Sequence, residues 1–252
     1  MPQISLAAEK IGSVFGFPIT NSLLATWVVM TILIVFSLSA TRNMTLVPRG
    51  IQSIAEMLVG GLYEFFTSVA GKHIKQFFPL IASFFLFILF ANWFGLLPGV
   101  GTVGFFEHGD TFVPLLRGSN ADLNMTLALA IISIVSIQYF GFKTLGFHYS
   151  TRFVNFKGPI DFFLGILEVI SQFANILSFA FRLFGNIFAG EVLLTVMAFL
   201  MPFIVPLPFM ALELFVGFVQ ALVFSMLTAA FLNVAVSHGA QEHAKHAASV
   251  RR

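Results

Sequence analysis

The stretch "FRLFGNIFAGEVLL", residues 181–194, lies inside the longest apolar segment of the chain, which runs from residue 160 to residue 201. Arg182 is the only Lys or Arg in that segment. An arginine keeps its proton at any physiological pH. On insertion scales its placement at the centre of a bilayer costs about 2.5–3.5 kcal/mol. A permanent charge kept where it is so costly predicts a functional role, and the default role of such a residue is in an ion path.

The composition excludes an ordinary soluble domain. Of the 252 residues, 58% are hydrophobic and 10% are charged, whereas soluble domains carry about 25% charged residues. The chain contains no cysteine, which excludes disulfides and thiolate metal sites. The histidines of the tail, His238, His243 and His246, are interpreted as part of a solvated segment. We therefore expect no metal, no cofactor and no nucleic-acid partner.

Five apolar segments predict membrane helices, at residues 22–40, 77–97, 123–142, 160–201 and 209–237. Four of them have the length of one helical crossing of about 30 Å of hydrocarbon. The fourth segment in the chain, 160–201, would form a helix of about 63 Å. It contains no proline, so it either breaks near a glycine or lies steeply tilted against a neighbour. Prolines at 202, 206 and 208 then predict a turn.

The predicted fold is therefore an all-α polytopic membrane protein, with residues 1–252 forming a single membrane domain. Residues 160–237 would form a long, tilted, antiparallel hairpin that carries the ion path. Residues 50–76 have apolar side chains at helical spacing and predict an amphipathic helix at the membrane interface. Residues 1–21 would form an outer N-terminal segment, and residues 238–252 a cytoplasmic tail.

The basic residues are distributed unevenly between the two sides of the predicted helices. Ten of the thirteen Lys and Arg lie in 41–76, 143–159 and 238–252, and two lie in the segments that alternate with these. By the positive-inside rule, the side with ten is cytoplasmic. We therefore expect five crossings, with the N-terminus outside and the C-terminus inside.

A polar stripe accompanies Arg182 along its predicted helix. At about 100° per residue, five polar side chains fall within about 40° of Arg182. These are Glu168, Ser171, Asn175, Ser178 and Asn186. The stripe is about 27 Å long, nearly the thickness of the hydrocarbon. Serine or asparagine alone could be simple helix–helix contacts, but an arginine accompanied by carboxyls indicates an ion path.

The last apolar segment carries a second polar pair. Glu213 and Gln220 are seven residues apart and share a helical face. In an antiparallel hairpin, facing residues keep a nearly constant sum of positions. One such register nearly fits two pairs: Arg182 with Gln220, and Glu191 with Glu213. The two members of each pair are therefore expected at a similar depth in the membrane. Glu191 itself points about 180° away from Arg182.

At these residues the chain resembles the subunit a family of the rotary F-type ATP synthases, in its bacterial form. "FRLFGNIFAGEVLL" is similar to the arginine helix of that family. "FANWFGLLPG" (90–99), "ADLNMTLALA" (121–130) and "ELFVGFVQALVFSMLTAAFL" (213–232) resemble its other membrane segments, in the same order. The resemblance covers nearly the whole chain.

The resemblance implies a stator subunit beside a ring of c subunits, with peripheral-stalk b subunits and the remainder of the ATP synthase as further partners. Arg182 matches the essential arginine of the family. Polar positions near it are matched by Asn186, Glu191, Glu213 and Gln220, and an asparagine of the outer access path by Asn92. Several members of the family pair a glutamate with a histidine where this chain has two glutamates, which argues against a histidine-based relay. The expected location is a bacterial inner membrane.

The mechanism expected from these residues uses two aqueous half-channels that meet the ring at Arg182. The outer half-channel would be lined by Asn92, Glu191 and Glu213, and the inner one by Glu168, Asn175 and Ser178. Arg182 would favour the ionised form of a ring carboxyl and block direct passage of protons between the channels. The chain itself would catalyse no covalent chemistry.

Two other functions remain open on the sequence alone. A secondary transporter could use Arg182 to bind an anionic substrate, although no inverted repeat is recognisable. An intramembrane enzyme would need a nucleophile and a base that the sequence does not reveal. The residues also leave both H⁺ and Na⁺ open as the coupling ion.

The predicted orientation is tested by labelling. The chain lacks cysteine, so Ser5→Cys and Ser249→Cys each introduce a single thiol. An impermeant thiol reagent added to sealed cells should label position 5 and not position 249, because the positive-inside rule places the C-terminus in the cytoplasm. The opposite pattern would reverse the orientation.

Overall fold

A computed structural model of the chain describes residues 8–14, 16–71, 74–97, 99–107, 111–146, 149–150, 153, 158–201 and 204–250. Several residues used to predict the orientation lie outside these ranges: Ser5, Lys72, Arg152, Lys157, Arg251 and Arg252. In the tail, residues 238–250 are described only as backbone. Among the described residues, no group of three His, Cys, Asp or Glu side chains could hold a metal ion.

Six α-helices account for most of the described chain: α1 (Asn21–Thr41), α2 (Ile51–Ala70), α3 (Ile74–Gly95), α4 (Leu123–Leu145), α5 (Pro159–Leu200) and α6 (Pro206–Val250). Five of them, all except α2, are long and apolar enough to cross a membrane. The prediction of an all-α, multi-pass membrane protein is confirmed. α2 is amphipathic and occupies most of the segment predicted to lie at the interface.

Helix ends coincide with capping residues. The Thr20 side chain accepts a hydrogen bond from the Leu23 N–H at the start of α1, and Asp122 does the same for Asn124 at the start of α4. α5 begins at Pro159, whose missing N–H costs nothing in the first turn. Gly50 and Gly71, which flank α2, have φ of 57° and 62°. Glycine adopts this left-handed region readily, so these residues separate α2 from the spans on either side.

The long segment forms one unbroken helix of 42 residues. The break near a glycine that the sequence left open does not occur. A helix of this length, about 63 Å, fits within about 30 Å of hydrocarbon only at a tilt of about 60°. The final helix is also longer than its apolar part, because α6 continues through the predicted tail to Val250.

Two short antiparallel hairpins were not predicted. One pairs β1 (Lys10–Val14) with β2 (Phe17–Thr20), and the other pairs β3 (Gly104–Glu107) with β4 (Thr111–Pro114). The first hairpin leads directly into α1, and the second lies in the loop between α3 and α4. Both are on the side predicted to be outside.

α6 packs against three of the four other membrane spans. It has its most extensive contacts with α3 and also lies against α4 and α5. Phe224 of α6 is buried against Phe84 of α3 and Phe179 of α5, with ring centroids 5.5 Å and 5.1 Å away. The hydroxyls of Ser133 and Thr228 form a buried hydrogen bond of 2.9 Å between α4 and α6. Such polar contacts add to close packing where water is excluded.

The start of α1 is tied to the start of α4 by a buried hydrogen bond. The Ser22 hydroxyl donates to the Asp122 carboxylate over 2.8 Å, and both residues are buried. Asn21 reaches the neighbouring loop, where its side chain donates to the Pro114 carbonyl at 3.4 Å. These contacts hold the N-terminal ends of α1 and α4 and the loop before α4 together.

Asp122→Ala should lower the free energy of unfolding by about 2–4 kcal/mol, as measured by thermal denaturation in detergent. The change removes the N-cap of α4, worth about 1 kcal/mol, and leaves the buried Ser22 hydroxyl without its acceptor, which costs about 1–3 kcal/mol. Asp161→Ala, in the first turn of α5, is the matched control and should cost under about 1 kcal/mol. Equal losses in the two variants would contradict the role of the Ser22 contact.

Candidate functional site

A cavity of about 370 Å³ opens between α3, α5, α6 and the loop that precedes α4. Its polar lining includes Asn92, Arg117, Glu191 and Glu213. Three of these were predicted for the outer half-channel, and the fold brings them together from three different helices. The fourth, Arg117, comes from the loop and was noticed in the sequence only as an outer charge. We call this space the outer cavity.

Arg117 and Glu191 form a two-pronged ion pair in the outer cavity. The Arg117 Nε donates to Glu191 Oε1 at 3.0 Å, and Nη2 donates to Oε2 at 3.2 Å. Arg117 is only 7% exposed, so the pair is partly removed from solvent. Bidentate pairs of this kind fix the orientation of the carboxylate as well as balancing its charge. Glu191 is therefore held towards the loop, away from the face that carries Arg182.

Asn92 is fixed in place by hydrogen bonds on both sides of its amide. Its Nδ2 donates to the Gly217 carbonyl of α6 at 2.9 Å, and its Oδ1 accepts from Asn120 Nδ2 at 2.6 Å. All three residues are buried. Gly217 allows this approach, since a Cβ there would lie 3.0 Å from the Asn92 Cβ. Asn92 thus joins α3 to α6 at the wall of the outer cavity.

Glu213 connects the outer cavity to a second space. It is 9% exposed and lines both the outer cavity and a groove of about 240 Å³ between α5 and α6. Asn186, Gly190 and Leu212 also line the groove. The Glu213 carboxyl occupies the room left by Gly190, because a Cβ built on Gly190 would overlap it. Gly190 is therefore what lets a carboxyl lie between the two helices.

Arg182 lies on an exposed face of α5, apart from both carboxyls. Its Nη2 donates to the Ser178 hydroxyl at 3.2 Å. In the part of the chain that the structure describes, no carboxylate lies within ion-pair distance of Arg182. One turn further along, Asn186 Nδ2 donates to Gln220 Oε1 at 2.7 Å. Gln220 thus lies at a depth similar to Arg182, but its hydrogen bond is with Asn186.

A third cavity, of about 210 Å³, lies near the opposite end of α5. Glu168, Ser171 and Asn175 of the predicted stripe line it, together with Gln172. Ser178, which was predicted to line the inner half-channel with Glu168 and Asn175, does not line this cavity and instead accepts the hydrogen bond from Arg182. We call this space the inner cavity.

A layer of buried apolar side chains separates the inner and outer cavities. Along α5, the inner cavity is lined up to Asn175 and the outer one from Ile187 onwards. Between these positions Phe179 and Leu183 are buried, and Phe224 of α6 packs against Phe179. The two polar spaces are thus about 18 Å apart along the helix.

Comparison with known proteins identifies a family whose members are similar to this chain. The ATP synthase A chain family model matches residues 23–233. The chain is 35% identical to "ATP synthase subunit a" of Geotalea uraniireducens over 85% of this chain and 86% of that protein. It is 35% identical to the protein of the same name from Syntrophobacter fumaroxidans (91% and 90% covered) and 37% identical to that from Gloeobacter violaceus (88% and 86% covered).

The chain belongs to the ATP synthase A chain family. This confirms the resemblance inferred from the arginine helix and the three other segments. A transporter that binds an anionic substrate at Arg182 is not favoured by this membership.

The sequence analysis did not assign two groups of polar residues to the site. Arg117 was missed because its partner Glu191 is 74 residues away, and nothing local marks the contact. Gln172 was missed because it lies about 80° from Arg182 around the helix, outside the stripe. A wider stripe would have included it. Gln138 donates a hydrogen bond to Gln172, and Tyr149 donates one to Gln138. No spacing in the sequence predicts either contact.

Gly190→Ala should lower the free energy of unfolding by about 1–3 kcal/mol, because overpacking forces α5 and α6 apart or displaces Glu213. The double variant Gly190→Ala, Glu213→Ala should recover most of this loss relative to Glu213→Ala alone, since the carboxyl that the new Cβ meets is gone. Thermal denaturation of the four proteins completes the cycle. Gly61→Ala on α2, where a Cβ meets nothing within 4 Å, is the control. If the losses of unfolding free energy in Gly190→Ala and Glu213→Ala add up in the double variant, the carboxyl does not occupy the room left by Gly190.

Proposed function

We propose that this chain is the fixed subunit that carries protons between the two sides of the membrane and a rotating ring of c subunits in an F-type ATP synthase. It is a multi-pass membrane protein of the ATP synthase A chain family. The observation that carries the proposal is the pair of polar cavities at opposite ends of α5, separated by an apolar layer with Arg182 beside it on the exposed face. A continuous pore would leak, whereas two cavities separated by an apolar layer oblige protons to use a moving carrier.

The outer half of the path runs from the outer cavity through Glu213. A proton that enters beside Asn92 and the Arg117–Glu191 pair reaches Glu213, which borders the outer cavity. Glu213 also borders the groove that contains Asn186. A single carboxyl that borders both spaces can accept a proton on one side and release it on the other. Glu213 is therefore the transfer point between the outer cavity and the face that carries Arg182.

The two outer glutamates have different roles. Glu191 is held by Arg117, and its charge is balanced. Glu213 is buried and makes no ion pair in the described part of the chain. Glu191 and Arg117 shape and polarise the cavity, while Glu213 exchanges the proton. This division replaces a glutamate–histidine relay with one neutralised and one exchangeable carboxyl.

Arg182 supplies the charge that the ring carboxylate meets. Its guanidinium is exposed on α5, and the hydrogen bond to Ser178 leaves most of its donors available. A ring carboxyl that approaches this cation is stabilised in its ionised form and gives up its proton. The same fixed charge repels protons that would pass directly between the cavities. The subunit would couple proton flow to rotation without any covalent step of its own.

The inner cavity completes the path on the opposite side. Glu168 and Asn175 line it, in the half of α5 nearer the loop between α4 and α5. This loop is rich in basic residues in the sequence, so the positive-inside rule places it in the cytoplasm. A proton released into this cavity would leave to the cytoplasm past Glu168. The N-terminus and both hairpins would then face outside.

The exposed apolar face of α5 around Arg182 is the surface proposed to meet the ring. Gly185 and Ala189 are exposed on this face, within about 60° of Arg182 around the helix. A surface of this kind suits a helical partner in lipid and leaves the arginine at the line of contact. Peripheral-stalk b subunits and the rest of the synthase complete the proposed assembly.

Arg182→Ala should abolish ATP-driven proton pumping and raise passive proton conductance, because it removes both the partner of the ring carboxylate and the barrier. Arg182→Lys should nearly abolish pumping while the leak stays low, since lysine keeps a charge but lacks the planar fork. The measurement is proton flux in vesicles with verified assembly, first under an imposed potential and then with ATP. Tyr139→Phe, an exposed position on α4, is the control and should behave as wild type.

Near-normal ATP-driven pumping by the Arg182→Ala complex would contradict the proposed function. Loss of pumping without a rise in passive conductance would keep the role towards the ring carboxylate. It would also assign the barrier to the apolar layer of Phe179, Leu183 and Phe224 instead of to the charge.

A further inference from the structure

Two neighbouring residues of α3 donate hydrogen bonds to the main chain of α6. The Asn92 amide donates to the Gly217 carbonyl at 2.9 Å, and the Trp93 indole Nε1 donates to the Leu214 carbonyl at 3.0 Å. Leu214 and Gly217 are three residues apart, so both carbonyls belong to one turn of the helix. This turn of α6 is therefore attached at two points to the C-terminal end of α3.

The attached turn is next to the carboxyl that borders both the outer cavity and the groove. Glu213 directly precedes Leu214 in the chain. It lies one turn before Gly217 and within about 40° of it around the helix. Gln220 follows on the same face, so the Asn92 contact is between Glu213 and Gln220 along α6. The two attachments therefore act at the place where the position of Glu213 is decided.

Two attachments fix the helix in a way that one cannot. A single hydrogen bond would leave α6 free to turn about it. The two accepting carbonyls are about 4.5 Å apart along the axis of α6 and about 60° apart around it. Together they set both the depth of the turn and its rotation towards α3. In lipid no water competes for these carbonyls, so the attachments persist.

The apolar packing between the same helices does not fix this rotation. The rings of Phe85 and Phe218 are 6.0 Å apart, and those of Phe84 and Phe224 are 5.5 Å apart. Such contacts hold α3 and α6 close together, but hydrophobic attraction has no preferred direction. The directional contacts of this turn with α3 are the two hydrogen bonds.

We propose that Trp93 is a positioning residue for Glu213. Through the Leu214 carbonyl, it holds α6 at the rotation in which Glu213 borders both the outer cavity and the groove. The inference rests on the proposed function, because Glu213 is the proposed transfer point. Trp93 is not among the residues that line the outer cavity, so it acts through α6. A small rotation matters here, since the Glu213 carboxyl fits into the room left by Gly190.

The other explanation for Trp93 is membrane anchoring. It is 39% exposed and lies two residues before the end of α3, and tryptophan is common at membrane boundaries. Anchoring alone would leave the rotation of α6 unaffected. The second tryptophan of the chain, Trp27, provides the control. It is 49% exposed on α1, and its indole N–H has no acceptor among the described residues.

The test removes only the donor of Trp93, in the assembled synthase. β-(3-Benzothienyl)alanine replaces Trp93, and its sulfur takes the place of the indole N–H in a ring of similar size. The chain lacks cysteine, so Glu213→Cys introduces a single thiol at the position of interest. A small impermeant thiol reagent is added from the outer side. Its rate of reaction with this chain is followed by mass spectrometry.

The thiol at position 213 should react about twofold to fivefold more slowly after the replacement. One hydrogen bond favours its geometry by about this factor, so without it α6 also adopts rotations that turn position 213 away from the outer cavity. Thr195→Cys lines the same cavity from α5 and should react at an unchanged rate. The same replacement at Trp27 should leave both rates unchanged.

With Glu213 in place, ATP-driven proton pumping should fall by a similar factor when Trp93 is replaced, and not when Trp27 is replaced. An unchanged rate at position 213, or an equal fall at position 195, would overturn the inference and leave Trp93 as an anchor. A slower rate at position 213 with unchanged pumping would overturn it too. Should the replacement not be incorporated, Trp93→Phe, which also lacks the donor, decides by the same comparison.

Failure of this inference is distinct from failure of the proposed function. Near-normal pumping by the Arg182→Ala complex would contradict the proposed function. The thiol rates report the rotation of α6 whether or not protons pass. Loss of pumping in Arg182→Ala, with equal thiol rates before and after the replacement of Trp93, would retain the proton path and remove only the role of Trp93.

Discussion

An arginine without an ionic partner at membrane depth is the constraint on which the rest of this structure depends. The described part of the chain offers Arg182 one serine hydroxyl and no carboxylate. A cation left in this state within the hydrocarbon costs several kcal/mol unless another molecule brings an opposite charge. The exposed face of α5 makes that encounter possible, and the two cavities end on either side of it. On the proposed function, a carboxylate of the ring supplies the missing partner.

The second arginine of the site shows the opposite solution. Arg117 is buried and paired through two hydrogen bonds with Glu191. The pair balances both charges, and its two hydrogen bonds fix the orientation of the carboxylate at the cavity wall. Of these two arginines, Arg117 has its ionic partner within the subunit, whereas Arg182 has none among the described residues. On the proposed function, the mobile charge therefore meets Arg182.

The sequence predicted those features that the membrane itself imposes. Hydrocarbon thickness sets the length of most of the spans, and the five apolar segments matched the five apolar spans to within a few residues. The hairpins at Lys10–Thr20 and Gly104–Pro114 were missed because no such constraint acts in the outer segments. Helical periodicity placed Glu191 opposite Arg182 but could not find Arg117, since contacts between distant segments leave no periodic trace. The room at Gly190 for Glu213 likewise emerges only when two helices are packed together.

The unbroken length of α5 gives these separate elements a common frame. Glu168 and Glu191 lie 23 residues apart on one helix, about 35 Å along its axis. Sites built on a helix are held more accurately than sites on loops, so the distances from each cavity to Arg182 are fixed by helix geometry. A break at a glycine would have let the two halves move independently. On the proposed function, a carrier that takes a proton from one cavity and delivers it to the other needs these distances to stay constant at every step. The 42-residue helix therefore holds residues of both cavities and Arg182 on a single rigid element.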